Sequence, residues 1–155
     1  MKKGFLMALA LMLCLTWSGL AIAAEADSPD QAKALVKKAV AMAKEKGMDE
    51  TLKAVADPKG PFVSGDYYIW AGALDKVIMV AHPHQPQLVN KDLTVYKDIK
   101  GKQFFGEFVV KAKEGGGWVD YYWPRPGTKE QVAKSSYVEA VPGQNVYFGC
   151  GIYKK

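Results

Sequence analysis

Apolar residues recur at spacings of three and four between residues 31 and 46, which is the spacing of a helix that buries one face. The apolar stripe consists of Leu35, Val36, Ala39, Val40 and Ala43. Ser28-Pro29-Asp30 is a helix-start signal, and Gly47 is a stop signal. A second, shorter helix is predicted over residues 49–55. The pattern therefore predicts a long amphipathic helix whose stripe packs against another surface.

After Pro61 the pattern changes to the alternation, rich in aromatic and β-branched residues, that is typical of β-strands. The predicted strands are 66–71, 76–81, 118–123, 135–141 and 146–153, and a helix is predicted over 98–113. The strands form a hairpin and then a meander whose turns contain proline and glycine. The economical packing is an α+β domain, in which helices, including the long N-terminal one, pack against one side of a single antiparallel sheet of about five strands.

The first residues have the pattern of a secretory signal peptide. Lys2 and Lys3 precede an apolar stretch over residues 5–22, and Ala21-Ile22-Ala23 has the small residues that signal peptidase recognises. A membrane anchor is the alternative, but the stretch is short for one and no basic stop-transfer residues follow it. We therefore expect residues 1–23 to be a signal peptide cleaved near Ala23, and residues 24–155 to form one domain in the periplasm, or outside a cell with a single membrane.

The charge distribution and the cysteine content argue against some classes of function. The formal net charge of +5 is spread along the chain rather than clustered, which together with export argues against nucleic-acid binding. Cys150 is the one cysteine after cleavage, so no internal disulfide forms. We expect it to be a small buried filler in a strand, and a disulfide between two chains is the alternative. No C-x-x-C-H sequence exists, and no cofactor is predicted.

His82 and His84 are the two histidines of the chain, and their spacing on a strand would suit a metal. A metal site needs a third and a fourth ligand, and the chain has no further histidine, so no metal site is predicted. The chain also lacks a G-x-S-x-G elbow, an H-E-x-x-H helix and a phosphate-binding glycine loop. We therefore predict that the protein is not an enzyme and has no catalytic residues.

Aromatic residues with polar tips are concentrated on the predicted strands. Alternation places Tyr68 and Trp70 on one face of the first strand, and Tyr121 and Trp123 on one face of the third. Such side chains provide apolar walls and a few directed hydrogen bonds, which suits a small concave binding site.

The residues from about Ala32 onwards resemble a known family. The resemblance rests on four segments in order: DPKGPFVSGDYYIW, AHPHQPQLVNKDL, DIKGKQFFGEFVVKAKEGGGWVDYYWPRPGT and AKSSYV…GCGIY. In this order they resemble the single Cache domain of type 2, an extracytoplasmic relative of the PAS fold. Asn90 stands where the family usually has glycine, and Lys76 where its hairpin often has one.

The resemblance implies a PAS-like sheet and a sensor that binds small molecules, often short carboxylates, in signal transduction and chemotaxis. Tyr68, His82, Tyr121 and Lys134 match positions that face the pocket in the family, and Trp70, Trp123 and Tyr137 match its walls. Lys134 offers a positive charge to a carboxylate, and His82 and the tyrosine hydroxyls can donate hydrogen bonds to it. His84 is expected to be exposed to solvent.

The resemblance also implies partners. We expect a free-standing module that binds a small organic acid and signals through a separate membrane receptor or histidine kinase, or that acts as a small solute-binding protein. The alternative is a structural or interaction protein without a functional pocket. In that case the stripe on 31–46 would contact a partner, including a second copy of the chain, instead of packing on the sheet.

Overall fold

The computed structural model describes residues 28–154, and the predicted signal peptide and its cleavage site lie outside this range. Two helices begin it: α1 spans Pro29–Lys46 and α2 spans Met48–Ala56. The side chain of Ser28 accepts a hydrogen bond from the backbone N–H of Asp30 and caps α1, as the sequence predicts. Within residues 28–154, none of the helices combines the length and the apolarity that crossing a bilayer requires.

A six-stranded antiparallel sheet forms the rest of the scaffold. The strands are β1 (Val63–Ser64), β2 (Tyr67–Ala73), β3 (Met79–Ala81), β4 (Gly117–Pro124), β5 (Gln131–Ala140) and β6 (Val146–Tyr153). They pair in the order β1-β2-β6-β5-β4, and β3 also pairs with β2. The hairpin of β2 and β3 and the meander of β4, β5 and β6 confirm the strand prediction, and β1 adds one short strand to it.

The apolar stripe of α1 packs on one face of this sheet. Its buried members, which include Val36 and Ala39, share a core cluster with Ile69, Phe148 and Cys150. The predicted α+β class, with a long N-terminal helix packed against an antiparallel sheet, is therefore confirmed.

A third helix, α3 (Phe105–Lys113), covers the opposite face of the sheet. Phe105 and Phe108 belong to a second core cluster with Trp70 and Tyr121. The expectation that the helices lie on one side was wrong, because the central strands are apolar on both faces. β2, for example, is buried at every position from Tyr68 to Ala73.

The helix predicted over residues 98–113 begins only at Phe105. The carboxylate of Asp98 accepts hydrogen bonds from the backbone N–H groups of Lys100 (2.9 Å), Lys102 (3.0 Å) and Tyr122 (3.0 Å). This side chain closes a turn that competes with helix, and it ties the turn to β4. Burial alone would raise the pKa of Asp98, but the three donors outweigh it and lower the pKa.

The loop between β3 and α3 contains a backbone conformation that explains one feature of the family pattern. Asn90, where the family usually has glycine, has φ 61 and is the non-glycine residue with positive φ among residues 28–154. Asparagine tolerates this left-handed conformation better than most side chains. Asn90 therefore suits the turn that the chain makes here.

Candidate functional site

Six of the seven predicted site residues lie at the face of the sheet that α3 covers, five of them placed by strand alternation and His82 by the end of β3. Tyr68 and Trp70 lie on β2 and Tyr121 and Trp123 on β4, and the four belong to the second core cluster. Lys134 pairs with Tyr121 across β4 and β5. β5 begins at Gln131, earlier than predicted, so Lys134 lies inside a strand.

A small cavity lies between this face, α3 and the segment after β3. Its volume is about 10 Å³, and it is lined by Tyr68, Trp70, Met79, His82, Phe104, Phe105, Phe108, Tyr121 and Trp123. A volume of this size holds about one water molecule. The lining supplies broad aromatic walls with few polar atoms, and an organic acid could enter only if some of these side chains moved.

His82 follows directly after β3 and is 3% exposed. Its Nδ1 accepts hydrogen bonds from the backbone N–H groups of His84 (3.1 Å) and Gln85 (3.0 Å). Because Nδ1 is an acceptor, the ring proton of neutral His82 lies on Nε2. Burial, then the charge of Lys134 and then His84 lower its pKa well below 6.5. His82 is therefore a neutral hydrogen-bond donor at the cavity.

Lys134 is a buried ammonium group next to the cavity, with 1% of its area exposed. Its Nζ donates hydrogen bonds to the hydroxyl oxygens of Tyr68 (2.7 Å) and Tyr153 (3.3 Å), and it lies 4.0 Å from the ring centroid of Tyr68. Tyr68 lines the cavity, so the charge of Lys134 lies one side chain away from it. Burial, then the electrostatic influence of Tyr153 and Tyr121, raises the pKa of Tyr68 well above 10, which keeps its hydroxyl protonated.

The hydroxyl proton of Tyr68 is directed at the oxygen of Tyr153 over a long contact, which a nearer ligand oxygen could replace. Tyr153 donates its own proton to the carbonyl of Pro124 (2.7 Å), and the Tyr68 and Tyr153 oxygens are 3.5 Å apart. A contact of this length is at the outer limit of a hydrogen bond. Tyr68 can therefore donate to a ligand oxygen while it accepts from Lys134.

Two glycines of β6 make room for the side chains of this face. A Cβ on Gly149 would lie 2.4 Å from Cζ2 of Trp70, and a Cβ on Gly151 would lie 2.4 Å from Cε of Lys134. Cys150 between them points to the other face and is buried there with the α1 stripe. The prediction of a buried Cys150 is confirmed, and the two glycines, with Tyr153, are site residues that the sequence analysis missed.

Tyr137 does not join the other six residues. It belongs to the core cluster of the α1 face, its hydroxyl donates to Glu139 (2.8 Å), and Nζ of Lys33 lies 5.2 Å from its ring centroid. Burial, then Glu139, raises the pKa of Tyr137 to about 12. The reason is alternation: Lys134 and Tyr137 are three positions apart on one strand and so face opposite sides.

His84 is half-buried rather than exposed, contrary to expectation. Its ring meets the ring of Tyr68 edge-on, with centroids 4.8 Å apart. Its Nε2 is buried and has no hydrogen-bond partner within residues 28–154. This polar atom is the second feature of the site that the sequence did not indicate.

The hydroxyl of Tyr121 is paired within this face. The hydroxyl of Tyr121 shares a hydrogen bond of 2.8 Å with the hydroxyl of Ser136, and its ring stacks on Phe104 at 4.3 Å. Across the described part of the chain, no three histidine, cysteine, aspartate or glutamate side chains group as a metal site requires. The arrangement is therefore suited to binding an anion through hydrogen-bond donors beside an apolar cavity.

Comparison with known proteins relates the sequence and fold of this chain to sensor domains. The sequence model of the family described as single Cache domain 2 matches residues 22–155. The methyl-accepting chemotaxis protein McpP of Pseudomonas putida is 37% identical over 89 residues, which are 57% of this chain. The matched region is 16% of the length of that receptor, so the comparison concerns one part of it.

Solved structures show the same fold. A periplasmic sensor domain of a chemotaxis protein is 33% identical, with a TM-score of 0.66 over 81% of this chain and 90% of that one. A Cache chemosensory domain solved to explain carboxylic acid recognition is 31% identical, with a TM-score of 0.64 over 81% of this chain and 88% of that one. A methyl-accepting chemotaxis protein from Vibrio parahaemolyticus, 22% identical with a TM-score of 0.69 over 80% of this chain and 86% of that one, agrees in fold.

Proposed function

The chain belongs to the single Cache domain 2 family, and from this premise we propose that it is a sensor module that binds a short organic acid between its sheet and α3. Sensor domains of this kind in chemotaxis receptors bind small ligands and are signalling modules rather than enzymes. One observation carries the proposal for this chain. Three hydrogen-bond donors, on Tyr68, His82 and Lys134, meet beside one aromatic cavity.

The donors fit a carboxylate. In the proposed complex, one ligand oxygen accepts from the hydroxyl of Tyr68 and another from Nε2 of His82. Lys134 stabilises the negative charge through its hydrogen bond to Tyr68 or by direct contact. A charged donor in a buried setting interacts more strongly than in water, because the local dielectric constant is low.

The cavity limits the size of the part of the acid that lies beyond the carboxylate. Trp70, Phe105 and Trp123 supply apolar walls that suit a short alkyl group. Since the volume is about 10 Å³, a long or branched chain would displace several aromatic side chains at once. We therefore propose an acid of two or three carbon atoms, in keeping with the Cache relative solved for carboxylic acid recognition.

The proposal includes location and partner. We propose that residues 1–23 direct export and are removed near Ala23, and that residues 24–155 act as a domain in the periplasm. Ligand binding would be reported to a membrane receptor or histidine kinase, and the relatives that are chemotaxis proteins support a role in signalling. The alternative interaction role loses its motivating feature, because the stripe that includes Val36 and Ala39 is buried on this chain's own sheet. A homodimer through α1 would have to use the exposed face of that helix.

Thermal unfolding of the purified protein with a panel of ligands tests the proposal. The panel contains acetate, propionate, L-lactate and pyruvate, with amines and amino acids for comparison. A ligand at a hundred times its dissociation constant adds about 2.7 kcal/mol to the free energy of unfolding, so at least one acid should raise the melting temperature. Mass spectrometry of gently denatured protein should release the same class of acid. No stabilisation by any compound of the panel would contradict a binding role.

A further inference from the structure

His84 carries a buried polar atom that the proposed carboxylate contacts do not use. Its Nε2 has no hydrogen-bond partner within the described range, residues 28–154, and is shielded from solvent. A buried polar nitrogen without a partner costs free energy, and such groups are few in native proteins. A ligand atom that forms a hydrogen bond with Nε2 of His84 would remove this cost.

The backbone holds His84 in place beside the site. Its N–H donates to Nδ1 of His82, and the N–H of Gln85 donates to the same atom. The two histidine rings have centroids 6.4 Å apart. Because His82 orients the turn, the residue that lines the cavity also fixes where the ring of His84 lies.

Tyr68 is the side chain that connects His84 with the cavity. Tyr68 lines the cavity, its ring contacts the His84 ring edge-on, and Nζ of Lys134 lies 4.0 Å from its ring centroid. The cavity volume of about 10 Å³ is too small for an organic acid, so binding requires a lining side chain to shift. A shift of the Tyr68 ring would extend the site toward both Lys134 and His84.

We propose that His84 contacts the bound acid through Nε2 and recognises an oxygen on the carbon next to the carboxylate, so that the site prefers 2-hydroxy and 2-oxo acids to the unsubstituted acid of equal length. This inference rests on the proposed function. Neutral imidazole donates from Nε2 in one tautomer and accepts there in the other, so it can pair with a keto oxygen or with a hydroxyl. Burial, then the charge of Lys134, lowers the pKa of His84, which favours the neutral ring.

The expected preference follows from the cost of an unmade hydrogen bond. When propionate binds, Nε2 would face a methylene group and remain without a partner. When L-lactate or pyruvate binds, the extra oxygen supplies one. A site built to hydrogen-bond a ligand group discriminates against the analogue that lacks it. A net hydrogen bond of about 1 kcal/mol corresponds to an affinity ratio of about fivefold.

Calorimetric titration of the purified protein with propionate, L-lactate and pyruvate is the test. Wild type should bind at least one of the two oxygenated acids about fivefold tighter than propionate. His84→Phe keeps an aromatic ring against Tyr68 and removes the nitrogen, so the ratio of the affinity for L-lactate or pyruvate to that for propionate should fall to about one. His84→Gln, which retains a polar side chain, should keep part of the preference. Equal affinities for all three acids in wild type, or a preference that survives His84→Phe, would overturn the inference.

A second measurement needs no substitution at His84. The chain has 2 histidines, so nitrogen NMR of the imidazole rings gives two sets of signals, and His82→Asn assigns them. L-lactate or pyruvate should shift the Nε2 signals of both rings, whereas propionate should shift mainly that of His82. An Nε2 signal of His84 that responds equally to all three acids, or to none, would contradict recognition of the oxygen next to the carboxylate. If no acid binds, the proposed function fails; if acids bind and His84 does not respond, this inference alone fails.

Discussion

On the sheet face that α3 covers, the side chain of Lys134 fills the space that a side chain at Gly151 would need. A Cβ on Gly151 would lie 2.4 Å from Cε of Lys134 and 2.3 Å from Oγ of Ser136. No side chain other than hydrogen fits there while Lys134 keeps its place. The glycine therefore determines where the buried ammonium group lies, and with it the hydrogen bond to Tyr68 that the binding proposal uses.

Gly151→Ala should displace the Lys134 side chain. The added methyl group should lower affinity for the acid by about tenfold or more and destabilise the fold by about 1–3 kcal/mol. Gly106→Ala is the matched control, because nothing lies within 4 Å of a Cβ at Gly106 in α3. That change should leave affinity unchanged and stabilise the helix by about 0.5–1 kcal/mol. Titration calorimetry and urea unfolding check both, and unchanged affinity in Gly151→Ala would show that the position of Lys134 is not needed.

Phe108→Ala tests the packing of α3 on the second face of the sheet. Phe108 is 1% exposed and contacts Trp70 and Tyr121. Truncating a buried phenylalanine removes about 3–5 kcal/mol from the free energy of unfolding. Val110→Ala on the same helix is 53% exposed and should change it by no more than about 0.5 kcal/mol. Urea unfolding of the two variants should separate them clearly; similar small losses would contradict the buried α3 interface.

Stability should fall between about pH 7.5 and about pH 5.5 because of the histidines. Burial lowers the pKa of His82 well below 6.5, and the pKa of His84 is lowered too. The unfolded chain therefore binds protons near pH 6.5 that the native protein does not bind, so stability is complete above this pH and decreases below it. Hydrogen bonds lower the pKa of Asp98 from its usual value, so protonation of this carboxylate affects stability only at lower pH.

His82→Asn should reduce this pH dependence. The Asn oxygen can replace Nδ1 as acceptor for the N–H groups of His84 and Gln85, so the turn should survive. Thermal unfolding at the two pH values should show a smaller fall in melting temperature than in wild type, with His84 responsible for the remainder. Identical falls in wild type and His82→Asn would mean that His82 is not held neutral.

Local patterns were enough to predict most of the fold. The stripe that includes Val36 and Ala39 is periodic, and the strands alternate, so helix α1 and the sheet followed from the sequence. The start of α3 did not follow, because the Asp98 side chain competes with helix through contacts to Tyr122, which is remote in sequence. The second covered face was missed because apolar residues on both sides of a strand do not reveal which helix covers each side.

The candidate site was predictable only in part. Tyr137 was assigned from the family resemblance, and it lies on the other face because β5 begins at Gln131 and so includes Lys134, three positions before Tyr137. Gly151 could be recognised only after the register brought β6 beside β5, with Ser136 opposite Gly151. The burial of His84 depends on a turn that is closed by two hydrogen bonds to His82. No periodic pattern in the sequence predicts such a turn.

Titration calorimetry of Lys134→Met tests the central claim, that the buried ammonium group of Lys134 stabilises the negative charge of a bound carboxylate. Methionine keeps much of the aliphatic stem and removes the charge, and loss of one partner of a buried charge pair costs about 2–5 kcal/mol of binding. Lys129→Met, in the exposed turn before β5, is the control. With the acid that stabilises wild type most, we expect affinity to fall at least about tenfold in Lys134→Met and to stay unchanged in Lys129→Met. Equal affinities for wild type and Lys134→Met would contradict the account.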